Sequence, residues 1–236
     1  MNNEKPVMII TGTRRGIGKG IAEHYIDQGY NVIGCSRGRG TISAENYQHE
    51  QVDLVDDKQV RNFIRTIKKQ YKKIDILVCN VGLVGSVLHM SLTSTESLND
   101  FINSNFVANY LICREVSKVM VSNRSGRIIT LSSIMTSIHA PGTSAYSSTK
   151  KALEEMTKVL AEELAPQAIT CNSVALSVMM TETVKDLGQE WLERMYEMQS
   201  IKRPLLISEL CHTISFLASP NASAVTGQVI NLCKVN

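Results

Sequence analysis

No apolar run in the 236-residue sequence approaches the ~18 residues that a membrane-crossing helix needs, which excludes a bilayer-spanning helix. No CxxC pair occurs either. The six cysteines (Cys35, Cys79, Cys113, Cys171, Cys211 and Cys233) are spread along the chain and the five histidines are scattered. That pattern excludes a zinc site with ordinary ligand spacing and a disulfide framework. Cys35 and Cys79 end apolar runs, Val-Ile-Gly-Cys at 32–35 and Ile-Leu-Val-Cys at 76–79. They read as buried, reduced thiols of a cytoplasmic protein. An excess of one charge is also missing. The formal net charge is +3, too small to point to nucleic acid or an anionic membrane. Lys68-Lys69 and Lys72-Lys73 read as a solvated helix face. The opening Met1-Asn2-Asn3-Glu4-Lys5 leads into a short apolar run that ends at Thr11-Gly12 without a cleavage signature. There is no linker, low-complexity segment or internal repeat, so one domain over residues 1–236 is expected.

What is present is alternation. Short apolar runs lie at 7–11, 31–35, 48–52, 74–79, 126–132, 169–175 and 228–232. Most are nearly continuous in apolar residues, as strands buried on both faces of a parallel sheet are. Helical patterns fall between them, near 17–28, 56–71, 97–122, 146–165 and 207–218. The alternation predicts an α/β, Rossmann-like doubly wound fold with a central parallel sheet of about seven strands, and ligands at the carboxyl ends of the strands. The least regular stretch, 177–204, carries Trp191, the only tryptophan, and Pro204. Two readings of it stand: a mobile flap over the site, or a surface helical hairpin.

The first strand is followed by Thr11-Gly12-Thr13-Arg14-Arg15-Gly16-Ile17-Gly18 and then a helix. Glycines in such a turn let backbone N–H groups approach a pyrophosphate, and the helix N-terminus adds partial positive charge. The second strand ends Gly34-Cys35-Ser36-Arg37. An acidic residue here would bind a ribose 2′-hydroxyl, and none is present. Ser36 and Arg37, with Arg15 from the glycine loop, suit a 2′-phosphate instead, so NADP(H) is expected over NAD(H).

Tyr146 and Lys150, one turn apart at the start of a long helical pattern, fall on one helix face. A nearby ammonium lowers a phenol's pKa, and such a tyrosine can exchange a proton with a carbonyl or alcohol oxygen. Ser133 stands thirteen residues before Tyr146, at the carboxyl end of the fifth predicted strand. Alternation turns its neighbour Ser132 the other way.

With these motifs the sequence resembles the short-chain dehydrogenase/reductase family over nearly its whole length, nearest the 3-oxoacyl-acyl-carrier-protein reductase branch. The matching features are the Thr11–Gly18 loop, Asp53, Asn80-Val81-Gly82, Asn105, Ser133, Tyr146 and Lys150. The resemblance implies that Tyr146 is the general acid/base and that Lys150 lowers its pKa and holds the nicotinamide ribose. It also implies that Ser133 orients the substrate carbonyl and that Asn105 holds a water linking Lys150 to solvent. Asp53 would bond the adenine amino group, with Leu54 beside it. Asn80, Val81 and Gly82 would support the sheet near the adenosine ribose. Gly12, Arg14, Arg15, Gly16, Ile17 and Gly18 would form the phosphate loop, and Met179 and Thr181 would flank the nicotinamide. Asn105 as a helix cap or kink, and Asp53 as a turn residue, stay open as alternatives.

The sequence departs from the family at several points. Leu176-Ser177 stands where members carry Pro-Gly, Val81 where most have Ala, and Cys233-Lys234 follows Leu232 in place of a glycine pair. Gln167 replaces a basic residue used in the branch to dock an acyl carrier protein, although Arg124 and Arg127 could offer a positive patch near the cleft. The substrate therefore divides between an acyl thioester and a small-molecule, sugar-derived or secondary-metabolite carbonyl. A non-catalytic NADP(H)-binding sensor or scaffold is the rival from another class. The resemblance also implies a homotetramer or homodimer built on the helices near 97–122 and 146–165.

Overall fold

The computed structural model describes residues 5–84, 88–181, 184 and 188–235. Seven strands form one sheet: β1 (Val7–Thr11), β2 (Asn31–Ser36), β3 (Tyr47–Gln51), β4 (Ile76–Cys79), β5 (Gly126–Ser133), β6 (Ile169–Leu176) and β7 (Val229–Asn231). Their order is β3-β2-β1-β4-β5-β6-β7. All six pairings are parallel. The expected doubly wound sheet is therefore present, with its order reversing between β1 and β4.

Strand alternation divides the core into two layers. Val7 and Ile9 of β1 join Leu77 and Ile128 on one face. Met8 and Ile10 join Ile76, Val78 and Ile129 on the other. Successive side chains of a strand point to opposite faces, so a strand between two helical layers must be apolar throughout. The first face is covered by α2 (Asp57–Tyr71), α4 (Ala108–Asn123) and α6 (Ser144–Leu164), the second by α1 (Gly16–Asp27) and α8 (Ile207–Ala218). Helix α2 shows why: Val60, Phe63, Ile64 and Ile67 recur on one face and are buried. Asp56 starts that helix by accepting from the Lys58 and Gln59 backbone N–H groups.

Three expected elements are redrawn. The fourth strand begins at Ile76, not at residue 74, because the Asp75 carboxylate accepts the Val7 N–H at 2.7 Å. The pattern at 97–122 is not one helix. It is α3 (Thr95–Ile102), a π-helical turn at Asn103–Val107, and then α4. The 177–204 stretch contains α7 (Gln189–Glu197), whose Leu192 and Met195 pack with Val178 and with Met135 of the short α5 (Met135–Ile138). Residues 182, 183 and 185–187 of the expected flap lie outside the described residues.

Arg124 and Arg127 are also relocated. Arg127 is the second residue of β5, whereas Ser133 is the last. A strand rises ~3.3 Å per residue, so six residues separate them by roughly 20 Å. Arg127 and the adjoining Arg124 therefore sit at the amino end of the sheet, away from the cleft.

Candidate active site

The carboxyl ends of β1, β2, β4, β5 and β6 converge along one edge, where the strand order reverses and an open α/β sheet leaves a crevice. The first turn above that edge is tightly specified. Gly12 has φ +75°, and a Cβ there would stand 2.9 Å from Asn80 Nδ2. At Gly18 a Cβ would be 2.4 Å from both Asn80 Nδ2 and the Gly12 oxygen. Asn80 closes against this loop, donating to the Thr11 oxygen at 2.8 Å. Thr11 Oγ1 in turn accepts the N–H groups of Asn80 and Val81, each at 2.9 Å. Asn80 and Val81 thus lock the β1 and β4 loops together.

Helix α1 begins at Gly16 with no side-chain cap and no acidic residue in its first turn. The first N–H groups of a helix have no intrahelical partner and favour an anion. Arg14, Arg15 and Gly16 are exposed there, while Ile17 packs half-buried on the core. Thr181 reaches the same place: its methyl lies 3.8 Å from where a Gly16 Cβ would be. The residues present therefore fit a pyrophosphate-bearing dinucleotide. Asp53 is half-buried and its carboxylate accepts the Val55 N–H at 3.2 Å, so it orders the turn after β3. At two of the expected cofactor positions the side chain turns away from the crevice. The Leu54 and Met179 side chains lie in the core, so each has only main-chain groups to offer a ligand.

The proton-handling groups meet further along the same edge. Tyr146 stands in the first turn of α6 with Lys150 one turn later. The Tyr146 phenol stands beside the Ser133 hydroxyl, and its ring meets Phe101 edge-on with centroids 6.3 Å apart. Lys150 is buried and its Nζ donates to the Leu131 oxygen at 2.8 Å. A Cβ on Gly82 would stand 3.1 Å from both Lys150 Nζ and Asn105 Oδ1, so glycine lets these groups converge. The buried Asn105 clamps the next residue: its Oδ1 accepts the Leu83 N–H at 2.6 Å, and its Nδ2 donates to the Leu83 oxygen at 3.2 Å and to Thr149 Oγ1 at 3.1 Å. Asn105 sits in the π turn, a feature frequent at functional sites.

Burial dominates the electrostatics of both groups. It raises the Tyr146 phenol above its ordinary value, with the neighbouring Ser133 hydroxyl acting the other way. Burial pushes Lys150 itself down to about 8, against the opposing influence of Cys79 and Glu154.

Several supporting residues carried no sequence signal of their own. Ser132 points away from Ser133 and donates to Glu154 Oε1 at 2.6 Å, as does Thr136 at 2.8 Å. The buried Glu154 carboxylate thereby ties β5 to α6 beneath the site. Asn109 donates to the Val81 and Asn105 oxygens at 3.0 and 2.9 Å. A spacing argument could have found Glu154, one turn after Lys150 on the same helix face.

The strand order and glycine turn define a dinucleotide-binding α/β protein. The family described as Enoyl-(Acyl carrier protein) reductase matches residues 12–233. The chain belongs to the short-chain dehydrogenase/reductase family of oxidoreductases. It is 30% identical over 239 residues to 3-oxoacyl-acyl-carrier-protein reductase FabG of Buchnera aphidicola, covering 98% of this chain and 97% of that protein. It is 34% identical over 230 residues to the FabG of Rickettsia conorii, covering 95% and 93%. Among solved structures, ElxO with NADP bound superposes with a TM-score of 0.90 at 29% identity, covering 97% of each chain. The ligand-free aldohexose dehydrogenase of Thermoplasma acidophilum gives 0.89 at 28%, covering 97% of this chain and 92% of the other.

Proposed function

We propose that this protein is an NADP(H)-dependent oxidoreductase that interconverts a ketone and a secondary alcohol, with a 3-oxoacyl thioester as substrate. The observation that carries the reading is the placement of Tyr146 beside Ser133 at the carboxyl edge, with Lys150 buried one turn on and Gly82 letting Lys150 Nζ and Asn105 Oδ1 converge. The Gly12–Gly18 turn would hold the pyrophosphate, and Ser36, Arg37 and Arg15 a 2′-phosphate. When bound, the cofactor supplies or accepts the hydride. The chain's own residues handle the proton. Ser133 and Tyr146 hold the substrate oxygen between two hydroxyls, and Tyr146 passes its proton to that oxygen during reduction. A phenol raised by burial stays protonated through neutral pH, which suits donation. Lys150 would swing from Leu131 toward the ribose, and Asn105 would place a water for its reprotonation.

The FabG relatives support the thioester. A small-molecule carbonyl is the second reading, favoured because Arg124 and Arg127 lie at the far end of the sheet from the cleft. Steady-state assays with NADPH decide between them. A 3-oxoacyl thioester is expected to give at least about tenfold higher kcat/KM than sugar-derived or simple ketones. The reverse order would replace the substrate assignment. Cofactor binding with no turnover of any carbonyl would favour the sensor or scaffold.

A cytoplasmic homotetramer assembled through α4 and α6 completes the proposal. Tyr110 and Val121 on α4 and Val159 on α6 expose apolar surface. Light scattering is expected to return four times the 26.1 kDa chain mass, and a monomer would contradict it. The described part of the expected flap from 188 to 204 is proposed to move over the bound substrate.

A further inference from the structure

Behind the end of β2 lies a polar network that the proton chemistry does not use. The Ser36 hydroxyl donates to the Gly38 oxygen at 2.8 Å. His49 Nε2 lies 3.1 Å from that same oxygen and 3.0 Å from Ser36 Oγ. On the other side of the ring, His49 Nδ1 lies 2.9 Å from the Tyr47 hydroxyl, which is itself 2.9 Å from Thr13 Oγ1. A carbonyl oxygen only accepts, so the tautomer that bonds Gly38 carries its proton on Nε2. In that tautomer Nδ1 accepts from Tyr47, and Tyr47 accepts from Thr13.

The backbone leaves room for this network on both sides. A Cβ at Gly34 would stand 2.2 Å from both Thr13 Oγ1 and the Tyr47 hydroxyl, and one at Gly40 would stand 2.7 Å from His49 Cγ. The Arg14 side chain of the glycine loop lies against the turn that this network supports. Arg14 Nη1 lies 3.0 Å from where a Gly38 Cβ would be, and Thr41 Oγ1 donates to the Arg14 oxygen at 2.8 Å.

Two donors thus share one acceptor, Gly38 O. We infer that His49 is a positioning residue for recognition of a ribose 2′-phosphate: its Nε2–H keeps the Gly38 oxygen satisfied while the Ser36 hydroxyl turns to the phosphate. This rests on the NADP(H) reading above. Without His49, Ser36 could reach the phosphate only by leaving a turn carbonyl unpaired. NAD(H) has no 2′-phosphate and asks nothing of Ser36, so His49 acts on the preference between cofactors and not on dinucleotide binding as a whole.

The test is calorimetric titration of the full-length protein with NADPH and NADH. Wild type is expected to bind NADPH more tightly. His49→Phe is expected to weaken NADPH about tenfold with NADH within about twofold, whereas His49→Gln, which keeps a donor, stays within about threefold for both. In a Ser36→Ala background, His49→Phe is expected to add less than about twofold, because no hydroxyl remains to be released. Equal loss of both cofactors in His49→Phe, or an unchanged ratio, overturns the inference. A wild type without preference overturns the NADP(H) reading itself. If His49→Phe does not fold, NMR of the 15N-labelled wild type decides, with His49→Gln assigning the ring. NADP⁺ but not NAD⁺ is expected to shift the His49 Nε2 signal, and no shift with NADP⁺ overturns the inference.

Discussion

Tyr146→Phe is expected to lower turnover about 10³-fold while leaving cofactor affinity within about twofold. The phenylalanine keeps the ring against Phe101 and removes only the hydroxyl beside Ser133. The packing of α6 is unaffected, so the loss belongs to the proton. The pH dependence has a sign. Burial raises the phenol, so the donor form is present throughout the neutral range and ketone reduction changes little there. Alcohol oxidation needs the phenolate as base and is expected to climb with pH beyond neutrality. Initial rates in both directions check this. A Phe variant with wild-type turnover would remove Tyr146 from the chemistry.

The second large effect concerns Lys150 and separates stability from function. Its pKa falls from the ordinary 10.5 to about 8 because the ammonium is buried. A shift of that size corresponds to about 3 kcal/mol against the folded state wherever the lysine is protonated in both states. Lys150→Met keeps the aliphatic stem and removes the charge, but also the hydrogen bond to the Leu131 oxygen, worth about 1–2 kcal/mol. The balance favours the variant by about 1–2 kcal/mol at pH 7. A protein of this size should then melt about 4 °C higher. Turnover is expected to fall at least about 100-fold. Between pH 8 and 10.5 the unfolded chain holds more protons than the folded one, so wild type gains stability there as pH rises and the advantage of Met shrinks. Thermal melts of both proteins across that range check the sign. A Met variant that melts below wild type at pH 7 would mean that the buried ammonium stabilises the fold.

Much of this architecture was legible because its causes are local. Continuous runs such as Val7–Thr11 and Ile76–Cys79 have no polar face to show, so they must lie between two layers. The Gly12–Gly18 spacing reflects contacts that admit no Cβ at 12 and 18. What escaped depends on contacts between distant residues. The π turn at Asn103–Val107 inserts its irregularity without a glycine or proline to mark it. Asp75 shortens β4 by bonding Val7, sixty-eight positions away. The strand expected at 48–52 is present as β3, but its run Tyr-Gln-His-Glu-Gln could not show that Tyr47 and His49 fall on one face and reach Thr13 and Ser36. Spacing placed Lys150 beside Tyr146, but it could not show that the ammonium turns to Leu131. Nor could it show that Leu54 and Met179 turn their side chains to the core.

The most direct measurement follows an isotope. Wild-type protein is incubated with NADPH deuterated at the transferable C4 position and a 3-oxoacyl thioester, and the product is analysed by mass spectrometry and NMR. One deuterium per turnover is expected at the new carbinol carbon on a single face, with Tyr146→Phe yielding about a thousandth of it at equal cofactor occupancy. Saturated binding of deuterated NADPH with no deuterium in any carbonyl product would contradict the assignment of this cleft to ketone reduction.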